Sequence, residues 1–378
     1  MSEMSIETDI KGLWRSCFDD TEEFIDFYFR HKFEPDNCAV MYQGGRLCSS
    51  LLMLPYTMDF YGIYLPVSYI SGACTLKSER GKGLMCRLLT DALKTMQERN
   101  IAFSILIPES VRLYDYYGKF DYVPIFRHRF DNLHVETGHA PSLQMAQNAN
   151  LETWHNMLWR ISSPNDVETG HAPSLLNELH TYMNVQMGKR PFSVQHDAKD
   201  FFSILEDLRL SGGQLFTSRS ATSQINGMAF ALPEQNSVFI YELLADNHEA
   251  ETALIQAAAN FWHQQNVRCK KTVNEKAGNE TSEQGGMLRI VSAPIVLNEY
   301  AATHPNVSME FQLSDDLLPA NNGVYKLAKG KCTHTRNSGE CACNTFFNEG
   351  ARSTDMMTIN ELTNLLFPHS GYISLMLE

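Results

Sequence analysis

The chain has no apolar run near the ~20 residues that cross a bilayer, and no excess of positive charge: 31 Lys and Arg stand against 44 Asp and Glu, a formal net charge of −13. The first absence argues against a membrane-spanning helix. The second argues against nucleic acid, whose phosphates are neutralised by Lys and Arg, and favours cationic substrates, although acidity is also an ordinary route to solubility. Met1 to Thr8 lack the positive segment and apolar core of a signal peptide, so the expected compartment is the cytoplasm. Nine cysteines, an odd number spread over 378 residues, do not form a disulfide framework. Cys332, His334, Cys341 and Cys343 group together, but Cys341-Ala342-Cys343 leaves one residue between thiols where structural zinc sites have two or more. Alternating strand residues are expected there, and no metal.

With 43% hydrophobic and 20% charged residues the composition is that of an ordinary soluble protein, and its length suits two or three domains rather than one core. What is present is concentrated between Ser68 and Tyr122. Tyr69 to Leu76 suits a strand, and after Gly83 the residues Leu84, Leu88, Leu89, Ala92, Leu93 and Met96 recur at spacings of three and four, one buried face of a helix ending near Asn100. Arg80-Gly81-Lys82-Gly83 therefore sits at a helix N-terminus, where backbone N–H groups are unpaired and anions are stabilised. The same glycines also suit a plain cap or tight turn. A P-loop needs Lys then Ser or Thr after the last glycine, and Leu84-Met85 follow here; a dinucleotide fingerprint needs a third glycine or alanine where Cys86 stands.

What remains, Arg-x-x-Gly-x-Met over Arg80 to Met85, resembles the coenzyme A loop of the GNAT acetyltransferases, with Met85 at the final small position. Leu106 to Glu109 followed by Leu113 to Tyr122 is similar to the second characteristic stretch of that family, a tyrosine, a residue pair and Phe-Gly-Tyr, with Asp121 in place of the glycine. Residues 13 to 30 resemble the acceptor-side helices. Phe311 to Pro319 and Asn321 to Tyr325 look like a sterol carrier protein-like domain. Together these resemble the Eis-like acetyltransferases, in which a degenerate second GNAT domain lies between. The resemblance implies an α/β (α+β) fold: a GNAT-type mixed central sheet flanked by helices over residues 1–134, a degenerate copy over 145–285, and a sterol carrier-like α+β domain over 286–378.

It also implies an acetyl-CoA-dependent N-acetyltransferase acting on an amine, assembled as a homo-oligomer, hexameric if it follows the Eis-like proteins. Backbone at Ala73 and Thr75 would then contact the pantetheine arm and hold the thioester oxygen. Arg80, Gly81, Lys82, Gly83 and Leu84 would hold the pyrophosphate. Tyr117 would protonate the departing thiolate as general acid, although Tyr114, Tyr116, Tyr117 and Tyr122 also suit amphipathic packing. The terminal carboxylate of Glu378, after Tyr372 to Leu377 read as an ordered strand, would help deprotonate the amine. Asp19, Asp20 and Asp26 fall on the acceptor helices, and Asp20 is the candidate for attracting the amine, against the alternative of a solvated helix face. The competing reading is a catalytically inactive lipid carrier or scaffold with a vestigial GNAT domain.

Elsewhere, Ala229 to Leu232 and Val238 to Leu244 suit strands, and Glu249 to Gln264 a helix with Leu254, Ala257, Ala258 and Phe261 on one side. The connection Ala245 to Glu249 has no glycine and two carboxylates, which would repel a pyrophosphate. The polar stretch Lys271 to Gly286 reads as a loop and boundary. Val135 to Leu143 recurs identically at Val167 to Leu175 with flanks that do not match, so it is no structural repeat array.

Overall fold

A computed structural model describes residues 3–136, 152–153, 172–273, 282–336 and 356–377. Helices α1 (Glu3–Cys17) and α2 (Glu22–Lys32) lead to strands β1 (Cys38–Gln43), β2 (Arg46–Phe60) and β3 (Ile63–Thr75), helix α3 (Leu84–Glu98), strand β4 (Phe103–Leu106), helix α4 (Val111–Gly118) and strand β5 (Val123–His134). Then come β6 (Glu152–Thr153), α5 (Ala172–Met187), β7 (Val194–Gln195), α6 (Ala198–Leu210), β8 (Gln214–Arg219), β9 (Ile225–Pro233), β10 (Val238–Ala245), α7 (His248–Phe261) and β11 (Asn266–Thr272). The rest is β12 (Glu283–Ile290), α8 (Ala293–Thr303), β13 (Met309–Ser314), β14 (Gly323–Ala328), β15 (Lys331–Thr335), β16 (Met356–Thr358) and α9 (Ile359–Leu366). The fold is mixed α/β. Its elements group into two compact units, one of Met1–Thr21, Lys32–Ile125 and Gly286–His369, the other of Glu22–His31, Phe126–Gly285 and Ser370–Glu378.

In the first unit the strand order is β1-β2-β3-β4-β12. β1, β2 and β3 are antiparallel neighbours, and β3 runs parallel to β4 with α3 as the crossover. The strand expected from Tyr69 is the far half of β3, which starts at Ile63 because Tyr61 (φ 55°) and Gly62 (φ 85°) close a two-residue hairpin with Phe60 opposite Ile63. The expected apolar face of α3 is buried at all six positions. With Leu51, Met53 and Ile70 of the sheet it makes the core. The same unit carries a separate four-stranded sheet, β15-β14-β13-β16. Cys332 and His334 alternate with exposed residues on β15, as expected. His334 stacks on Tyr325 at 4.2 Å and its Nε2 lies 3.1 Å from the Asn322 carbonyl oxygen. Cys341 and Cys343 lie outside the described residues, among which no group of metal-ligating side chains occurs.

In the second unit the order is β5-β11-β10-β9-β8-β6. The local sequence of the first unit recurs: an antiparallel hairpin (β9, β10), a register shift that leaves Tyr241 as the extra residue between Ile240 and Glu242, a helix, and a parallel strand. The face of α7 differs from expectation. Leu254 and Ala258 are buried, but so are Ala250, Ala253, Ile255 and Ala259, while Phe261 is 41% exposed at the helix end, its ring against Phe216 and Trp262. The polar stretch after Lys271 is less of a loop than expected, since β11 runs to Thr272 and β12 begins at Glu283. The nine-residue repeat falls mostly outside the described residues.

Tyr372 to Leu377 is not a strand. It is a buried irregular segment with Leu375 and Leu377 at φ 62° and 58°. Where the β5–β11 ladder stops at His128–Thr272, Gly371 bridges to Phe126 and accepts the Arg127 N–H. Tyr372 Oη donates to Glu242 Oε2 at 2.8 Å, Arg190 pairs with the same carboxylate at 2.8 Å, and the Arg190 guanidinium covers the Tyr372 ring. These bonds satisfy the fully buried Glu242 charge, which would otherwise be costly.

Candidate active site

The site lies in the first unit and begins with a defect in β3. Ser71 pairs with Leu52 and Cys74 with Ser50, so Gly72 and Ala73 together oppose Leu51, a β-bulge. Gly72 has φ 57°, and a Cβ there would lie 2.3 Å from the Trp14 ring, so both backbone and space require glycine. Parallel pairing with β4 ends at Tyr69–Ile105, whereas β3 continues to Thr75 with only β2 as ladder partner among the described residues. The two strands therefore part, and backbone on the β4 side of the bulge is left for another partner.

The chain then turns through Lys77–Glu79 to Arg80-Gly81-Lys82-Gly83. Gly81 and Gly83 have φ 80° and 75°; Gly83 is the N-cap of α3 and offers no side chain to its N–H groups. A Cβ at either glycine would meet open space, so the left-handed backbone rather than crowding demands glycine. The result is a helix start with unsatisfied donors and no acidic residue in the first turn. Arg80 Nε donates to the Thr75 carbonyl at 3.0 Å, fixing the guanidinium beside the strand end. Lys82 is paired instead with Glu79 at 2.7 Å.

Bulge, loop and α4 surround a cavity of about 490 Å³. Ala73, Thr75, Arg80, Gly81, Gly83, Leu84 and Tyr117 all line it; Lys82 and Asp20 do not. Asp20 Oδ2 accepts the Trp14 indole N–H at 2.7 Å. Glu378 lies outside the described residues. Tyr117 is 8% exposed on α4, edge-on to Tyr116 and Tyr122, and its hydroxyl has no hydrogen-bond partner among the described residues. Burial, and then the neighbouring Tyr116, push its pKa up to about 12, so it is protonated at neutral pH.

Sequence reasoning passed over Cys17, Glu109 and Cys86 in this wall. Cys17 ends α1 and meets β3 only in the fold, its Sγ 3.6 Å from the Thr75 carbonyl oxygen. A hydrogen bond from Cys74, with help from Ser16 and Arg80, outweighs burial and lowers its pKa. Nothing in the local sequence marked it. The turn after Tyr117 is held from a distant segment. Asp121, standing where a glycine was expected, has φ 60°, the left-handed conformation that glycine adopts most easily. Its carboxylate pairs with Arg289 at 2.9 Å, and Arg289 also donates to the Phe120 carbonyl at 2.8 Å and to buried Asp315 at 2.7 Å.

Residues 4–125 match the family described as Acetyltransferase (GNAT) domain. No curated protein matches the sequence. Among solved structures, a conserved protein of unknown function from Enterococcus faecalis V583, titled a probable N-acyltransferase, aligns over 97% of this chain and 88% of its own at 14% identity and a TM-score of 0.69. A GCN5-related N-acetyltransferase from Anabaena variabilis aligns over 96% and 88% at 17% identity, TM-score 0.67. Eis1 from Mycobacterium abscessus aligns over 97% and 88% at 11% identity, TM-score 0.65. At such identities the likeness shows the fold, shared over nearly the whole chain, while the family match covers residues 4–125.

Proposed function

We propose that this chain is an acetyl-CoA-dependent N-acetyltransferase that acts on an amine by direct attack in a ternary complex. One observation carries the reading: a single cavity joins an uncapped helix N-terminus, a bulged strand edge and a protonated tyrosine hydroxyl with no hydrogen-bond partner among the described residues. The chemistry of these groups fits acetyl-CoA, which supplies a thioester-activated acetyl group. Arg80 and the first N–H groups of α3 hold its pyrophosphate. Backbone N–H at Ala73 and Thr75 stabilises negative charge on the carbonyl oxygen. Tyr117 gives its proton to the leaving sulfur.

The second unit reads as a degenerate copy. It repeats the hairpin, bulge, helix and parallel strand, but the N-terminus of α7 is closed by Asn247, whose side chain accepts the Ala250 N–H at 2.9 Å, and carries Glu249 and Glu251. No coenzyme is assigned there. By resemblance, residues 286–378 are sterol carrier-like, the Glu378 terminus assists deprotonation, and the protein is a cytoplasmic homo-oligomer. The residues before Glu378, Tyr372 to Leu377, are buried. Asp20, with one oxygen committed to Trp14, has its other oxygen for an amine.

Calorimetric titration with acetyl-CoA tests the reading. Saturable binding is expected, lost in Arg80→Glu and Gly83→Asp, and Tyr117→Phe should keep binding while lowering kcat by roughly 10²-fold or more. No binding by the wild type would leave the carrier or scaffold reading.

A further inference from the structure

The bulge in β3 also brings two thiols together. Ala73 packs with the α3 core, so Cys74, the next residue of the strand, points to the opposite face. Helix α1 lies against this stretch, since a Cβ on Gly72 would meet the Trp14 ring. Cys17 comes one turn after Trp14 on the same side of α1, and its Sγ is 3.6 Å from the carbonyl oxygen of Thr75, the neighbour of Cys74. The Cys74 thiol donates a hydrogen bond to the Cys17 sulfur. Two sulfurs from elements far apart in the chain are therefore in contact, and both line the first cavity.

The two are not equivalent. Cys17 is half-buried in the cavity wall, whereas Cys74 is buried and has Ser50 Oγ 3.6 Å from its sulfur. Donation from Cys74 outweighs burial and, with Ser16 and Arg80, brings the Cys17 pKa down to about 6, so that it is a thiolate at pH 7. The same hydrogen bond, and then burial, raise the pKa of Cys74, which stays a thiol. A reachable thiolate in contact with a protonated second thiol is the arrangement in which a sulfenic acid is resolved to a disulfide.

We propose that Cys17 and Cys74 form a peroxide-responsive modification site, in which Cys17 is oxidised and Cys74 resolves it to an internal disulfide joining the end of α1 to β3. The Cys17 thiolate attacks one peroxide oxygen: an S–O bond forms, the O–O bond breaks and hydroxide leaves, so sulfur is oxidised and peroxide reduced. The Cys74 sulfur then attacks the sulfenic sulfur; the S–S bond forms, the S–O bond breaks, and the Cys74 proton leaves with the oxygen as water. The hydroxide takes up the proton that Cys17 had lost, so one peroxide and two thiols give one disulfide and two waters. The inference stands apart from acetyl transfer, because neither sulfur has a role assigned in that reaction.

The test treats the reduced full chain with hydrogen peroxide at neutral pH, blocks the remaining thiols with N-ethylmaleimide and maps the unreduced peptides by mass. A linked peptide pair carrying Cys17 and Cys74 is expected, lost on treatment with dithiothreitol and formed roughly tenfold faster than any oxidation of Cys38, Cys86 or Cys332. Cys74→Ser should leave Cys17 as a sulfenic acid that dimedone traps, and Cys17→Ser should leave Cys74 as a free thiol. The wild-type map needs neither variant to fold. A wild-type Cys17 that does not react, that accumulates as sulfenic acid while Cys74 stays free, or that links to Cys86 or to a second copy of the chain would overturn the assignment.

Discussion

Arg289 gives the sharpest test of how the first unit holds its site. Its side chain is fully buried between Asp315, also fully buried, and Asp121, whose side chain is 30% exposed. It makes three charge-assisted hydrogen bonds, to Asp315, Asp121 and the Phe120 carbonyl. Arg289→Met removes all three and leaves the Asp315 carboxylate buried. That carboxylate keeps the backbone N–H groups of Leu317 and Leu318 and the side-chain amide of Asn321, but no positive charge. Breaking one side of a buried pair costs about 3–5 kcal/mol, and the three remaining donors place this case at about 3. Neutralising the survivor should return part of the loss, so Arg289→Met/Asp315→Asn is expected to be about 1–2 kcal/mol more stable than Arg289→Met alone. Urea unfolding read by the fluorescence of Trp14, the tryptophan of the first unit, in a background with the other three replaced by Phe, measures both. On the proposed function, acetyl transfer should fall together with stability, because Arg289 fixes the carbonyl three residues after Tyr117, the proposed general acid, and small displacements of such a group cost up to about 10²-fold. A single variant within about 1 kcal/mol of wild type, or a double variant less stable than the single, would refute the view that an ion pair rather than packing organises this turn.

Gly72→Ala should cost about 2–4 kcal/mol, from left-handed strain and a clash with Trp14; a thermal scan showing no loss would mean that the bulge relaxes. Asp207 titrates at about 6 in the fold against 3.8 for the unperturbed group. The native state therefore binds the proton more tightly, and stability falls as pH rises from about 4 to about 6.5. Asp207→Asn should remove that fall and gain about 1–3 kcal/mol at pH 7.5 relative to its effect at pH 4; denaturation midpoints at the two pH values decide it. Cys17 should be alkylated by iodoacetamide at pH 7 roughly tenfold faster than Cys38 or Cys332, whose pKa values burial pushes up to about 12 and 11. Acetyl-CoA should protect it, and peptide mass mapping that finds Cys17 inert would count against the hydrogen bond from Cys74 as the cause of a lowered pKa.

The sequence by itself determined the local parts. Apolar spacing after Gly83 defined the buried face of α3, and the glycines before it marked an uncapped helix start, because helical period and left-handed backbone are properties of a few consecutive residues. The motif resemblance named Tyr117 and the loop on the same local grounds. Only the tertiary structure brought Cys17 to Thr75, extended β3 back to Ile63 through its pairing with β2, and explained Asp121 through Arg289, which lies 168 positions further along the chain. It also showed the start of the final segment held through Gly371 on Phe126 and Tyr372 on Glu242 and Arg190, rather than by a ladder over Tyr372 to Leu377. Such partners are chosen by burial, since a charge or backbone group removed from water must find whatever complementary group the fold places beside it, and nothing in the adjoining residues encodes which one that is.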